Sequence, residues 1–359
     1  MKKYLFIFAL TAIWAVQSCS TDFDLNADFV ETPVLFGLLD ASDSVHYIRI
    51  NRAFLSETTD ALTLAQDPDA IYYGDELEVI VEELDFGNVT NTYILERIDG
   101  DTVGLVKDTA GIFASMPNIL YRFSAELNQD RAYRVIATNT ETGKVIRATT
   151  QIIDDFKITR PNEEAIFPQS FALSPQGVYQ FGFLNARDAA LYDLTLRFHY
   201  RTGRYFQSGD SIQITGSGDI DWKWRKEYNT VGRSPNEPIT VEVPGVSFYS
   251  FISEAFVADP DIFNIMIADS VQFIVEAGGE DIYNYQLFNA ATLGITETQV
   301  TDAYTNVEGG LGLFSTRYTK ISSIYTLSVQ TRDSVGCSTA TGYLNFAPDQ
   351  STPNFPFCF

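Results

Sequence analysis

The chain has 359 residues, room for two domains, and its 45% hydrophobic and 20% charged content is that of a globular protein rather than a disordered one. Its 24 basic residues against 47 acidic ones leave a net charge of −23, which sets aside nucleic acid and anionic lipid surfaces as partners. With 27 Phe and 19 Tyr beside 3 Met, the composition favours β-structure over helix.

Met1-Lys2-Lys3 is a short positive start, Tyr4 to Val16 is a nearly unbroken apolar run, and Gln17-Ser18-Cys19 follows. The run is too short for a comfortable membrane span and has the form of a secretory signal. Val16-Gln17-Ser18-Cys19 resembles the relaxed lipobox of Bacteroidota lipoproteins, in which the Cys becomes the acylated first residue; it departs from the stricter Leu-Ala-Gly-Cys form before the Cys. Residues 1–18 are thus expected as a signal peptide, Cys19 as the lipidation site, and 19–31, with Asp22, Asp24, Asp28 and Glu31, as an acidic tether. Ser20-Thr21-Asp22-Phe23-Asp24 is similar to the surface-export signal of such lipoproteins, and a plain solvated tether is the other reading. The resemblance implies a lipid-anchored outer-membrane protein, on the cell surface or the periplasmic face, held to the membrane by its lipid.

Short alternating runs then dominate to about residue 152. Pro33–Leu39 and Ser44–Leu55 flank an Asp40-Ala41-Ser42-Asp43 turn. Leu77, Val79 and Val81 alternate with acidic residues as a half-buried strand, and Asn91–Ile98 and Ile119–Leu127 follow the same pattern. Arg131–Thr138 and Lys144–Gln151 form a hairpin. The Leu127–Tyr133 spacing matches the tyrosine corner of immunoglobulin and fibronectin-type sandwiches. Residues 32–153 are therefore expected as an immunoglobulin-like β-sandwich. Pro161, Pro168 and Pro175 mark 154–176 as a linker, and 177–359 as a second, β-rich domain with a few inserted helices. Its clearest strand, Ala189–Tyr200, puts Tyr192, Leu194, Leu196, Phe198 and Tyr200 on one face. Ser270–Glu276 reads as a further strand. Ser247–Phe256 has helical spacing behind a Ser N-cap, and Glu280–Ala291 reads as a second helix.

Cys337 and Cys358 remain beyond the leader. In an oxidising compartment a bridge between them is favoured over two buried free thiols. Two Cys and the scattered His46 and His199 offer no metal-ligand spacing. Neither His belongs to a nucleophile elbow or a metalloprotease helix, and no cofactor is expected. Gly309-Gly310-Leu311-Gly312 lacks the ending of a phosphate loop and reads as a Gly-rich turn or bulge. Asp99-Gly100-Asp101 and Asp259-Pro260-Asp261 do not complete a calcium loop. Trp222-Lys223-Trp224-Arg225 puts two indoles on one face of a strand, either as a platform for a sugar ring or partner side chain or, more in keeping with their size, packed on the core.

Phe54-Leu55, Ala65-Gln66-Asp67-Pro68-Asp69, Tyr72-Tyr73, the Tyr192–Tyr200 strand and Thr305–Phe314 together resemble an uncharacterised family of Bacteroidota outer-membrane lipoproteins. Such families are often encoded beside TonB-dependent transporters, and the resemblance implies a transporter or another envelope protein as partner. Asp-Ser/Thr-aliphatic tripeptides at 43, 101, 108, 210, 269 and 333 resemble the O-glycosylation sequon of exported proteins of that phylum, and are also ordinary turns into strands. The expectation is a non-enzymatic envelope lipoprotein, an accessory or ligand-binding partner of an outer-membrane transport system. The alternatives are a carboxylate-dependent carbohydrate-active hydrolase, with a glycan as ligand, and a surface adhesin or structural component.

Overall fold

The computed structural model describes residues 32–53, 61–107, 111–167, 169–292, 304–353 and 355–358. The leader, Cys19 and the acidic tether lie outside the described residues, as do Phe54-Leu55. The protein is mainly β, with 49% strand and 16% helix.

Strands β1 (Pro33–Asp40), β2 (Val45–Arg52), β3 (Leu77–Asp85), β4 (Asn88–Ile94), β5 (Glu96–Asp99), β6 (Ile119–Ser124), β7 (Ala132–Asn139) and β8 (Val145–Gln151) form a sandwich. One layer runs β1-β2-β6-β5 and the other β4-β3-β7-β8, an immunoglobulin-type strand order. Period-two alternation explains the filling: Leu35, Leu39, Ile48 and Ile50 of the first layer meet Val79, Val81, Val135 and Ile146 of the second. The turn between β1 and β2 is tied by the Asp40 carboxylate, which accepts from the Ser42 N–H at 2.9 Å and its hydroxyl at 2.6 Å. Between β2 and β3 lie two short helices, α1 (Ala61–Ala65) and α2 (Pro68–Ile71), the second capped by Asp67. The expected strand 91–98 is instead two strands in different layers. β4 stays on β3, buried Leu95 donates its N–H to the Val79 carbonyl, and β5 starts one residue later on β6. The tyrosine corner is present, with the buried Tyr133 hydroxyl accepting from the Asn128 N–H at 2.9 Å.

The second core lies between β13-β10-β9 and β12-β11-β14. These are β9 (Ile158–Arg160), β10 (Val178–Leu184), β11 (Ala189–Phe206), β12 (Ser211–Asn229), β13 (Pro238–Pro244) and β14 (Asn264–Gly279). Its filling is aromatic: Phe181 stacks on Phe273 with centroids 4.5 Å apart, and Phe171, Phe183, Tyr192, Phe198 and Phe248 surround them. Segment 154–176, expected as a linker, belongs to this core. It carries β9 and buries Phe156, Ile158, Phe171 and Leu173, so its prolines bend a packed chain rather than free a spacer. Helix α3 (Gly245–Ala255) starts two residues before the expected one, follows Pro244, and has no side-chain cap, so Ser247 does not cap it. The start is fixed by close approach: the Gly245 N–H donates to the Gly177 carbonyl at 2.8 Å, where a Cβ would strike the backbone of 174–177. Helix α4 (Glu280–Thr292) follows β14 directly.

Strand β15 (Leu311–Ile321) joins the halves. Its residues 311–317 pair in parallel with β1 and 317–321 antiparallel with β14, so one sheet serves both cores. The Gly-rich stretch ahead of it is a close-packed turn: a Cβ at Gly310 would lie 2.6 Å from the Pro33 carbonyl oxygen, and one at Gly309 2.8 Å from that of Val145. The chain closes with β16 (Tyr325–Thr326), α5 (Val329–Cys337) and β17 (Phe346–Ala347).

Candidate functional site

At the junction of the two cores the described residues enclose a cleft of about 430 Å³. Five segments far apart in sequence line it: Thr149–Gln151 at the end of β8, the β10–β11 turn, the β12–β13 turn, Gly279–Asp281 where β14 becomes α4, and Ser315-Thr316 of β15. Ser315 is 1% exposed, and its hydroxyl has no hydrogen-bond partner among the described residues. Leaving such a group unmet costs about 1–3 kcal/mol, so it is a place for a ligand or a water. Gly279 keeps room around it, since a Cβ there would stand 3.1 Å from the Ser315 oxygen. Thr316, equally buried, spends its hydroxyl accepting the Ile153 N–H.

Charge of both signs surrounds these hydroxyls. Arg187 donates to the Asp130 carboxylate and to the Gln129 carbonyl, each at 2.9 Å, and its backbone N–H donates to Asp154. It therefore clamps the second core's turn to the first core's β6–β7 connection. Arg233 pairs with Glu237 at 2.7 Å. Asp188 sits in the left-handed region at φ 63°, and burial pushes its carboxyl above the usual range, with Arg187 opposing and Asp154 adding to the shift. Asp281 accepts from the Tyr304 hydroxyl at 2.6 Å, and Tyr304, through burial first and then that bond, is pushed up to about 12. The lining thus offers a hydroxyl without a partner among the described residues, beside guanidinium and carboxylate groups, to a polar molecule.

The other residues singled out in the sequence fall elsewhere. Cys337 and Cys358 are joined in a disulfide with Cα atoms 5.5 Å apart, tying the end of α5 to the C-terminal tail. Trp222 and Trp224 share the inward face of β12, but that face rests on the aromatic core. Trp222 stacks on Phe251 of α3 at 5.7 Å, and Trp224 meets Phe181 and Phe273 edge-on. The two indoles are tilted 42° to each other and half-buried, so they do not make one flat surface. His46 is buried and donates to the Ala125 carbonyl at 3.0 Å, and His199 donates to Asp219 at 2.5 Å. Asp99 accepts from the Asp101 and Asn118 N–H groups, and Asp261 pairs with Arg204. Of the Asp-Ser/Thr tripeptides, Ser44, Thr102 and Ser211 are exposed, Ser270 is buried in β14, and 108–110 lie outside the described residues.

No protein-family model and no curated protein sequence matches the chain. Among solved structures it is similar to trypsin-activated alpha-2-macroglobulin from Escherichia coli, at 6% identity and a TM-score of 0.17, over 70% of this chain and 14% of that one. The chain thus spans about one seventh of that protein's length.

Sequence reasoning missed the cleft because no two of its five segments are neighbours along the chain. The one local signal was the Ser315-Thr316 pair, two hydroxyls directly after Leu313-Phe314 in a strand that is buried from Gly312 to Thr316.

Proposed function

We propose that this protein is an exported, lipid-anchored, non-enzymatic component of the cell envelope that holds a small polar ligand in the cleft between its cores. In this reading it serves an outer-membrane transport system. The observation that carries the binding role is the buried Ser315 hydroxyl, without a hydrogen-bond partner among the described residues, in a cleft bearing both Arg and carboxylate groups. The leader and Cys19 in the sequence support the envelope placement, and so does the Cys337–Cys358 bridge, since such bridges persist in oxidising compartments.

Two experiments test this. Cys19→Ala should move the protein from the membrane to the soluble fraction, and retention on membranes after a salt wash would remove the lipid anchor from the reading. The soluble variant should then be titrated with a panel of oligosaccharides and amino acids while reaction products are monitored. Saturable binding lost in Ser315→Leu, with no product released, supports capture. Released sugar would transfer the protein to the carbohydrate-active hydrolases, and an oligomer without ligand binding would favour the structural alternative.

A further inference from the structure

The outer face of the first sandwich is apolar where such a face is ordinarily polar. On β1, Leu35 and Leu39 point into the core, yet the alternate residues Phe36 and Leu38 are also apolar and each remains 40% exposed. Leu120 of β6, Val45 and Tyr47 of β2 and Leu313 of β15 continue this surface. It is walled on one side by α4, whose Tyr285 meets Phe36 edge-on at 6.2 Å, and on the other by the turn carrying Leu105. The result is a groove of about 540 Å³, within the range of small-molecule sites.

The Arg49 guanidinium stands in this groove without an ion-pair partner among the described residues, while Asp43, the carboxylate in the lining, faces Arg317 at 3.8 Å. Arg49, on the same face of β2, donates to Asn118 Oδ1 at 2.6 Å. Asn118 is 2% exposed and is itself fixed, donating to the Leu105 carbonyl from its side chain and to Asp99 from its backbone. The guanidinium is therefore held in place by a buried amide rather than by a counter-charge, and it forms no ion pair among the described residues. Lys107 stands close enough for Arg49 to contribute to holding its ammonium below the usual range, after burial, and it too forms no ion pair among the described residues. In a chain of net charge −23, two neighbouring cations without ion-pair partners among the described residues, beside an apolar groove whose Asp43 is met by Arg317, are complementary to an anion with a hydrocarbon tail.

We infer that this groove binds a single free fatty carboxylate, its head on the Arg49 guanidinium and its chain along Phe36, Leu38 and Leu313. A guanidinium receives a carboxylate through two parallel hydrogen bonds, and the chain gains by leaving water in proportion to the area it buries.

The test uses the full chain carrying Cys19→Ala, with the fluorescent fatty acid cis-parinarate as probe and three competitors of equal chain length. Dodecanoate should displace the probe at least tenfold more effectively than dodecanol, and dodecyltrimethylammonium least of all. Arg49→Gln should bring dodecanoate down to the level of dodecanol, Arg49→Lys should restore part of the difference, and Leu38→Asp should abolish displacement without changing the thermal melt. Ser315→Leu should leave all of this unchanged, which separates the groove from the polar cleft. Equal displacement by the three competitors, or an unchanged response in Arg49→Gln, would overturn the proposal. So would binding seen only with phosphatidylglycerol vesicles, or a dimer that Leu38→Asp dissociates with no effect of dodecanoate.

Discussion

Tyr133 and Tyr192 occupy equivalent corners of the two cores. Each is fully buried at the beginning of a strand, and each accepts a backbone N–H from the turn before it, Asn128 for one and Ala186 for the other. The second hydroxyl also donates to the Asn185 side chain at 3.1 Å, whose amide in turn donates to the Ser234 carbonyl in the β12–β13 turn. In the first core the corner closes one turn; in the second it locks two turns against an aromatic mass. The same device thus fastens a sandwich in one place and shapes a wall of the polar cleft in the other.

The largest effect should come from the filling. Phe273→Ala removes a ring stacked on Phe181 and Tyr179 and should cost about 4 kcal/mol, against about 3 kcal/mol for Ile48→Ala in the first core. Because β15 belongs to both halves, the two variants should lower one common calorimetric transition. Two transitions that move separately would divide the cores. Next, Cys337→Ala with Cys358→Ala should cost about 3 kcal/mol for a bridge spanning 21 residues, read as a lower urea midpoint that reductant no longer changes.

Tyr192→Phe should cost about 2 kcal/mol and Tyr133→Phe about 1 kcal/mol, since the first leaves groups of buried Ala186 and Asn185 unmet and the second only the N–H of Asn128, a residue at the surface. Equal losses would mean that the Asn185 contact adds nothing to the second corner. The smallest effect should be at Asp188. Its folded carboxyl is raised by burial, so the charged form disfavours folding, and stability falls as pH rises from the unfolded value through the folded one. Asp188→Asn tolerates the left-handed backbone and should therefore raise the melting temperature slightly at pH 7 and leave it unchanged below about pH 3. A lower melting temperature at pH 7 would show that the Arg187 contact outweighs burial.

The sandwich was legible because alternation in β3, β7 and β8 reports directly which side chains leave water, and the tyrosine spacing marks one particular corner. Alternation also located β11, and the i, i+3, i+4 pattern located α3 to within two residues. Alternation names a buried face but never the neighbouring strand, so nothing in Leu311–Ile321 announced that it would pair with β1 at one end and β14 at the other. Prolines at 161 and 175 outweighed Phe156, Ile158, Phe171 and Leu173 in the reading of 154–176, since a bend in a packed segment and a break in a spacer look alike along the chain. Trp222 and Trp224 were rightly placed on one face of β12, but which side of the sheet faces water depends on α3, whose docking no local pattern specifies.

The pairing of β1 with β15 also sets an order in time. A chain that emerges N-terminus first can form the β1–β2 hairpin early, but the other edge of β1 stays open until Leu311–Arg317 has arrived, because Val34 meets Leu311 and Asp40 meets Arg317. Until then the first sandwich presents an unpaired strand with Phe36 and Leu38 on its outer face, a template for joining another unfinished chain. A nascent chain stalled or cut before residue 311 would therefore release a sticky half-molecule rather than a finished first domain, and completing the last strand is what makes the first one safe.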